Sequence, residues 1–286
     1  MERQWGSYRK TLTKELGAPV ASAFVESLYR ESNGSLEKAS QFFYQLGRTW
    51  APLMKLWGYW IQGKATGSDI ALILRDAKPL EVLSLTKDWK KLYLNRKNCG
   101  IPDELSGDGD SDHHPLLKRY LHEQGCMDYF TFVDSGCYGT IVLELHQMGI
   151  SFQPLFFFSK NPYIPGFLNE IGISEKEGEI LNDSLECAFP NVYQRPTTFI
   201  EKGESVHVPL ELADSLSVLF GMAALWGVHS QEHKEPTHPV TEVRKLLLLS
   251  RKAKRGECTG ILHSASPEWS KKEEFLTSWP KHLCWT

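Results

Sequence analysis

The sequence predicts an α/β protein, a mostly parallel sheet with flanking helices, preceded by a helical N-terminal segment. Three observations carry this. Asp69-Ile70-Ala71-Leu72-Ile73-Leu74 is apolar from its second residue onward, the pattern of a strand covered on both faces. Phe130-Thr131-Phe132-Val133 is β-favouring and meets Asp134, then a short glycine-containing stretch, and Ile141 to Met148 reads as a helix. Gln153 to Phe158 returns as an aromatic strand, so strand and helix alternate as they do in parallel sheets.

Totals bound the answer. The chain has 286 residues, 41% hydrophobic and 23% charged, enough for one large or two modest domains with a sizeable core. A net charge of −3 gives no electrostatic case for nucleic acid. The basic clusters at Lys90 to Lys97 and Arg251 to Arg255 are local, and the second reads as a solvated helix end. The cysteines (Cys99, Cys126, Cys137, Cys187, Cys258, Cys284) include no C-x-x-C pair, which argues against a zinc site or a disulfide framework and for reduced cytoplasmic thiols. Met1 to Trp5 opens no apolar signal segment, and no run reaches the roughly 18 apolar residues of a membrane span.

In chain order, Leu16, Val20, Ala23, Phe24 and Leu28 recur at helical spacing. Asn33-Gly34-Ser35 breaks the pattern, and Ser35 is placed to cap a helix through Phe42, Phe43, Leu46 and Trp50. Trp57 and Trp60 fall on a following helix or loop, and core packing accounts for this aromatic set better than a stacking platform. After the first strand, Pro79 suits the first turn of a helix over Glu81 to Leu85. Lys91 to Leu94 is a second strand. Residues 102–114 form a polar loop. Its alternating Asp108, Asp110 and Asp112 lack the glycine and terminal glutamate of a calcium loop, and adjacent His113 and His114 face apart on any regular element.

Pro115 to Gln124 is a helix. Asn161 to Leu168 is a proline-rich turn, residues 169–182 are polar and less readable, and Asp183 to Pro190 is helical. Tyr193 to Glu201 and Val206 to Val208 are strands around Lys202-Gly203, and Leu210 to Val228 is a long apolar helix. His229, His233 and His238 share a proline-flanked polar loop. Trp269, Trp279 and Trp285 lie in a tail expected to dock on the body. The parse is a helical segment over 1–65, an α/β core over 66–228 and C-terminal helices packing on it over 229–286.

Three successive strand ends are polar. Arg75, Asp76 and Lys78 follow the first, Asn95-Arg96-Lys97-Asn98 the second, and Asp134 with Ser135, Gly136, Cys137, Tyr138, Gly139 and Thr140 the third. Parallel neighbours with right-handed crossovers put all three on one sheet edge, where ligands bind in open α/β sheets. Arg75, Arg96, Lys97 and Lys78 suit phosphate oxygens, and Asp76 and Asp134 suit ribose hydroxyls or magnesium. The backbone N–H groups of the third loop and the helix it opens suit an anion. The expected ligand is a phosphorylated sugar or nucleotide, with Asp134 and Asp76 as candidate catalytic residues, magnesium as the candidate cofactor and no dedicated metal cluster. A homo-oligomer or an assembly role is a further expectation. Glu186 reads as a helix surface charge.

The runs Ile73 to Leu80, Leu92 to Lys97, Tyr120 to Gly125 and Val133 to Thr140, with Gly166-Phe167-Leu168 and Ser184-Leu185-Glu186, resemble the C-terminal module of predicted haloacid-dehalogenase-superfamily proteins of polysaccharide biosynthesis. The same loop order resembles type I phosphoribosyltransferases. Residues 75–79 stand for their pyrophosphate loop, Arg96-Lys97 for a basic segment meeting pyrophosphate, and Phe130 to Thr140 for their phosphoribosyl-pyrophosphate motif, with Ser135 in place of a second acid. The second resemblance implies a phosphoribosyltransferase-like or Rossmann-like sheet and transfer of a phosphoribosyl group. The first implies a phosphohydrolase with Asp134 as nucleophile, although Gly136 stands where that chemistry wants a second aspartate. A non-catalytic sugar-phosphate or nucleotide-binding module is the third reading.

Overall fold

The computed structural model describes residues 36–253 apart from 68, 75–76, 102–112, 127, 190–197 and 212–214. Expectations for the chain before Leu36, for Asp108, Asp110 and Asp112, and for the tail with its tryptophans lie outside the described residues.

Leu36–Lys64 is one helix, α1, which continues through Pro52 where the sequence suggests a break. Proline inside a helix costs about 3 kcal/mol through a lost N–H and a clash one turn back. Phe43, Trp50, Leu53, Met54, Trp57 and Ile61 recur on one face and are almost wholly buried. At about 1.5–3 kcal/mol for each large side chain removed from water, that face outweighs the proline. Trp50 and Trp57 lie 6.2 and 5.1 Å from the Phe157 ring, so the tryptophans pack the sheet and form no stacking platform.

The sheet contains β1 (Ile70–Ile73), β2 (Lys90–Leu92), β3 (Phe130–Cys137) and β4 (Phe152–Ser159). Its order is β2-β1-β3-β4, with every neighbour pair parallel. Side chains alternate between faces along a strand. Ala71, Ile73, Phe130, Phe132, Phe152 and Phe156 join one core with α2 (His113–Glu123) and α3 (Thr140–Gln147). Leu72, Val133, Leu155 and Phe157 join the other. That second core is shared with α1 and, beyond the short α4 (Phe167–Glu170), with α5 (Glu175–Ala188), α6 (Ser215–His229) and α7 (Pro239–Ala253). Both faces are covered, which is why the strands read as unbroken apolar runs.

Several boundaries differ from the sequence reading. The expected helix at Glu81 to Leu85 is instead a pair of 3-10 turns, Lys78–Leu80 and Ser84–Thr86. The Thr86 hydroxyl donates to the carbonyls of Leu80 (2.6 Å) and Leu83 (3.0 Å), taking acceptors that a continuing helix would use. The α2 helix starts at His113, and the His114 imidazole meets Glu144 on α3 at 2.7 Å. The α5 helix starts at Glu175, eight residues before its expected beginning at Asp183. β5 (Ile200–Lys202) and β6 (Ser205–His207) form an antiparallel hairpin about Gly203.

The α6 and α1 helices approach at backbone distance. A Cβ on Gly47 would lie 1.9 Å from the Ala224 carbonyl oxygen. The loop after α6 is pinned to α1 by Lys55, whose ammonium donates to the carbonyls of Glu232 (2.8 Å) and Lys234 (3.1 Å). His229, expected in the loop, is the last residue of α6 and pairs with Glu232, and no group of three metal-ligating side chains occurs among the described residues. Among the same residues no helix is long and apolar enough to cross a membrane.

Candidate functional site

The chain leaves β1 for β2 on one side, then returns past β1 to β3 and on to β4 on the other. The carboxyl ends of β1 and β3 are therefore neighbours whose connections diverge, the topological switch point at which open α/β sheets bind ligands.

On the β1 side, Arg75 and Asp76 lie outside the described residues. Ala77 is held by its N–H to the Ile73 carbonyl at 3.0 Å, and Lys78 opens the first 3-10 turn. Lys78 is 5% exposed. Its burial pushes the ammonium below the ordinary lysine range, with Glu81 acting against that fall and Lys91 adding to it.

The β2 end closes on itself. The Asn95 side-chain oxygen accepts the N–H groups of Lys97 (2.9 Å) and Asn98 (3.3 Å), and the Asn98 oxygen accepts the Asn95 N–H (2.8 Å). The Asn98 amide donates to the Tyr93 carbonyl at 2.8 Å. Asn95 and Asn98 are buried by this exchange, while Arg96 and Lys97 stand exposed. They sit two strand spacings from β3, roughly 10 Å.

The β3 end departs most from expectation. The sequence places Asp134 at the end of the strand with a loop from Ser135 onward. The strand in fact runs through Cys137, with Asp134 opposite Phe156, Gly136 opposite Phe158 and Cys137 opposite Ser159 of β4. Against β1 the pairing ends at Leu72 and Val133, so β3 overhangs its other neighbour from Asp134 onward. Asp134 is 8% exposed and Ser135 is 2% exposed, and the Ser135 N–H donates to Asp134 Oδ1 at 2.8 Å. Gly136 has φ +103°, and a Cβ there would lie 2.4 Å from the Phe158 carbonyl oxygen. Only Tyr138 and Gly139 separate strand from helix. Gly139, at φ +83°, is the N-cap of α3 and offers no side-chain cap, so the first N–H groups of α3, beginning at Thr140, have no intrahelical partner.

The sequence reading missed the β4 end. The Lys160 N–H donates to the Cys137 carbonyl at 2.8 Å, and the Asn161 amide donates to the Tyr138 carbonyl at 3.2 Å. The Lys160 ammonium lies 5.5 Å from the Tyr138 ring centroid and pairs with Glu179 and, at 3.7 Å, with Glu175 on α5. The available signal was a Ser-Lys-Asn corner closing the aromatic run Phe156 to Phe158. Glu186 is exposed on α5.

The structure thus gathers Asp134 through Thr140 at one strand–helix junction, with Lys78 beyond the adjoining strand end and Ser159 to Asn161 on the far side. It sets Arg96 and Lys97 apart. No family model and no curated protein matches the chain.

Proposed function

We propose that this sheet edge binds a phosphorylated ribose or nucleotide-type donor and that the protein acts on it as a phosphoribosyltransferase-like enzyme. The supporting observation is a buried carboxylate, Asp134, a few residues from the uncapped amino end of α3 at the β1/β3 switch point. A helix amino end favours a phosphate, and a carboxylate beside it favours ribose hydroxyls. In this reading the N–H groups from Gly136 to Thr140 and the Thr140 hydroxyl hold the 5′-phosphate. Asp134 orients the ribose. Arg75, Lys78, Arg96 and Lys97 offset the charge of the leaving pyrophosphate, and Asp76 assists on the β1 side. Catalysis then rests on positioning and charge stabilisation.

Magnesium suits such a site, because it binds through one or two carboxylates together with substrate oxygens, and Asp134 supplies such a group. When bound it would offset ligand charge. A haloacid-dehalogenase-type phosphohydrolase draws less support. The second acid it needs is replaced by Gly136, where the Phe158 carbonyl leaves no room for a side chain. The short Tyr138-Gly139 connection favours a binding module without turnover as the second reading.

A thermal-shift panel with phosphoribosyl pyrophosphate, nucleotides and sugar phosphates, with and without magnesium, tests the proposal. Ligand at 100 times Kd stabilises by about 2.7 kcal/mol. The expected outcome is a magnesium-dependent shift with phosphoribosyl pyrophosphate. Asp134→Asn keeps an oxygen for the Ser135 N–H and should abolish turnover with the fold intact. Full activity in that variant sinks the assignment, and a shift without turnover selects the binding module.

A further inference from the structure

Cys137 has φ +100° and is the one non-glycine residue with positive φ among the described residues. Such a conformation persists only where the surroundings over-determine it. Here the surroundings come from another strand. Cys137 and Tyr138 each give their carbonyl to a donor at the end of β4, the Lys160 N–H at 2.8 Å and the Asn161 amide at 3.2 Å.

That corner is itself locked. Ser159 Oγ donates to the Asn161 carbonyl at 2.8 Å, and Asn161 Oδ1 accepts the Tyr163 N–H at 3.0 Å. Asn169 brackets Ser159, accepting its N–H at 2.9 Å and donating to its carbonyl at 2.9 Å. Asn161 is 1% exposed, so neither of its bonds is traded for water. The Lys160 ammonium adds a third hold, lying over the Tyr138 ring while Glu179 and Glu175 fix it from α5.

We infer that Lys160 and Asn161 are positioning residues: the β4 corner holds the Cys137-Tyr138 turn in its strained form and so fixes where the amino end of α3 presents its N–H groups. The turn is not rigid by its own chemistry, because Cys137 does not favour positive φ. It is rigid because two carbonyls and one ring are gripped from the side. Ligand affinity at this edge is then set in part by residues that need not touch the ligand. The ligand consequence rests on the proposed sugar-phosphate site, whereas the clamp itself does not.

Two measurements separate them. Amide hydrogen exchange is followed in the full chain, without ligand, at Lys160 and Leu143, whose N–H groups bond the carbonyls of Cys137 (2.8 Å) and Gly139 (3.0 Å). Asn161→Asp keeps the acceptor for the Tyr163 N–H but turns the donor facing the Tyr138 carbonyl into an acceptor. Exchange at those two amides is expected to rise about tenfold while the amides of β1 stay protected. Lys160→Met keeps the backbone bond and removes only the ammonium, so a smaller rise at the same amides is expected, and this variant decides the matter if Asn161→Asp fails to fold. Cys137→Gly relieves the strain and is expected to raise the melting temperature.

The affinity arm uses phosphoribosyl pyrophosphate with magnesium. Asn161→Asp and Cys137→Gly should both weaken the response of the folded protein, although they shift stability in opposite directions. A merely structural role would make affinity follow stability. Unchanged exchange in both Asn161→Asp and Lys160→Met overturns the clamp. A wild-type protein that answers no phosphate compound overturns the ligand reading, and the exchange result still decides the clamp.

Discussion

The β2 and β3 ends are both polar turns at the carboxyl edge of one sheet, but their hydrogen bonds close in different ways. At β2, Asn95 and Asn98 accept each other's backbone N–H groups within the turn itself. At β3, the backbone takes positive φ at Gly136, Cys137 and Gly139, and the carbonyls of Cys137 and Tyr138 are satisfied by the residues that follow β4. A self-closed turn is a local structural device, and charges on it face outward because the amides occupy its interior. A turn held from outside in a costly conformation of about 1–3 kcal/mol needs a reason beyond its own stability. The comparison therefore ranks the β3 end above the β2 end as the heart of a site, although the charges at β2 are the more conspicuous in sequence.

The sharpest way to break the β3 end is Gly136→Ala. The new methyl would lie 2.4 Å from the Phe158 carbonyl oxygen and 2.5 Å from Phe156 Cδ2, at a φ of +103°. Neither neighbour can retreat, since backbone is fixed by the strand pairing and Phe156 is 1% exposed. Overpacking and backbone strain then add, and the expected loss is about 4 kcal/mol or more. Denaturant unfolding followed by circular dichroism checks it. A loss below about 1 kcal/mol would show that the β3–β4 contact is looser than its geometry.

The β2 end is broken more gently through Tyr120 on α2, whose hydroxyl accepts the Tyr93 N–H at 3.2 Å. Burial pushes this phenol up to about 12, with the Tyr93 bond acting downward and Cys126 upward. Below pH 10 the phenol is neutral in folded and unfolded chains alike, and the full stability is present. Between pH 10 and 12 the unfolded chain ionises while the folded one stays neutral. Stability should fall by about 2–3 kcal/mol over that window. Tyr120→Phe should start about 1 kcal/mol lower at neutral pH and lose this part of the alkaline slope. Urea midpoints at pH 9 through 12 for both proteins make the measurement.

How much was legible follows the same division between local and non-local chemistry. The strands β1 and β4 were readable because burial on both faces demands apolar residues such as Ala71, Leu72 and Ile73 in unbroken runs. The extension of β3 through Cys137 was not, because Asp134-Ser135-Gly136-Cys137 has the composition of a turn and becomes strand only by pairing with Phe156 to Ser159. Lys160 was missed for the same reason. The Ser159-Lys160-Asn161 corner marks a turn in sequence but not its partner, and the register of β4 against β3 is what brings Lys160 to Cys137. Two misses were local and readable. Ser174-Glu175-Lys176-Glu177 is a helix-start spacing, with Ser174 at the N-cap and its hydroxyl bonded to Glu177 at 2.8 Å. Asn95 and Asn98 have the spacing of side chains that close a turn on its own backbone.

The smallest expected effect tests whether the β2 charges belong to the site at all. Arg96 and Lys97 are exposed, and the side chains that close their turn are those of Asn95 and Asn98. Arg96→Ala combined with Lys97→Ala should therefore move stability by no more than about 0.5 kcal/mol. On the proposed reading these cations meet pyrophosphate and nothing else of the donor. Affinity for phosphoribosyl pyrophosphate should then fall about tenfold, or about 1.4 kcal/mol, while affinity for ribose 5-phosphate stays at its wild-type value. Calorimetric titration of both ligands separates the outcomes. Equal losses for both would place the two side chains over the phosphate end. No loss for either would confine the site to the β1, β3 and β4 ends, where the strained turn and its clamp already lie.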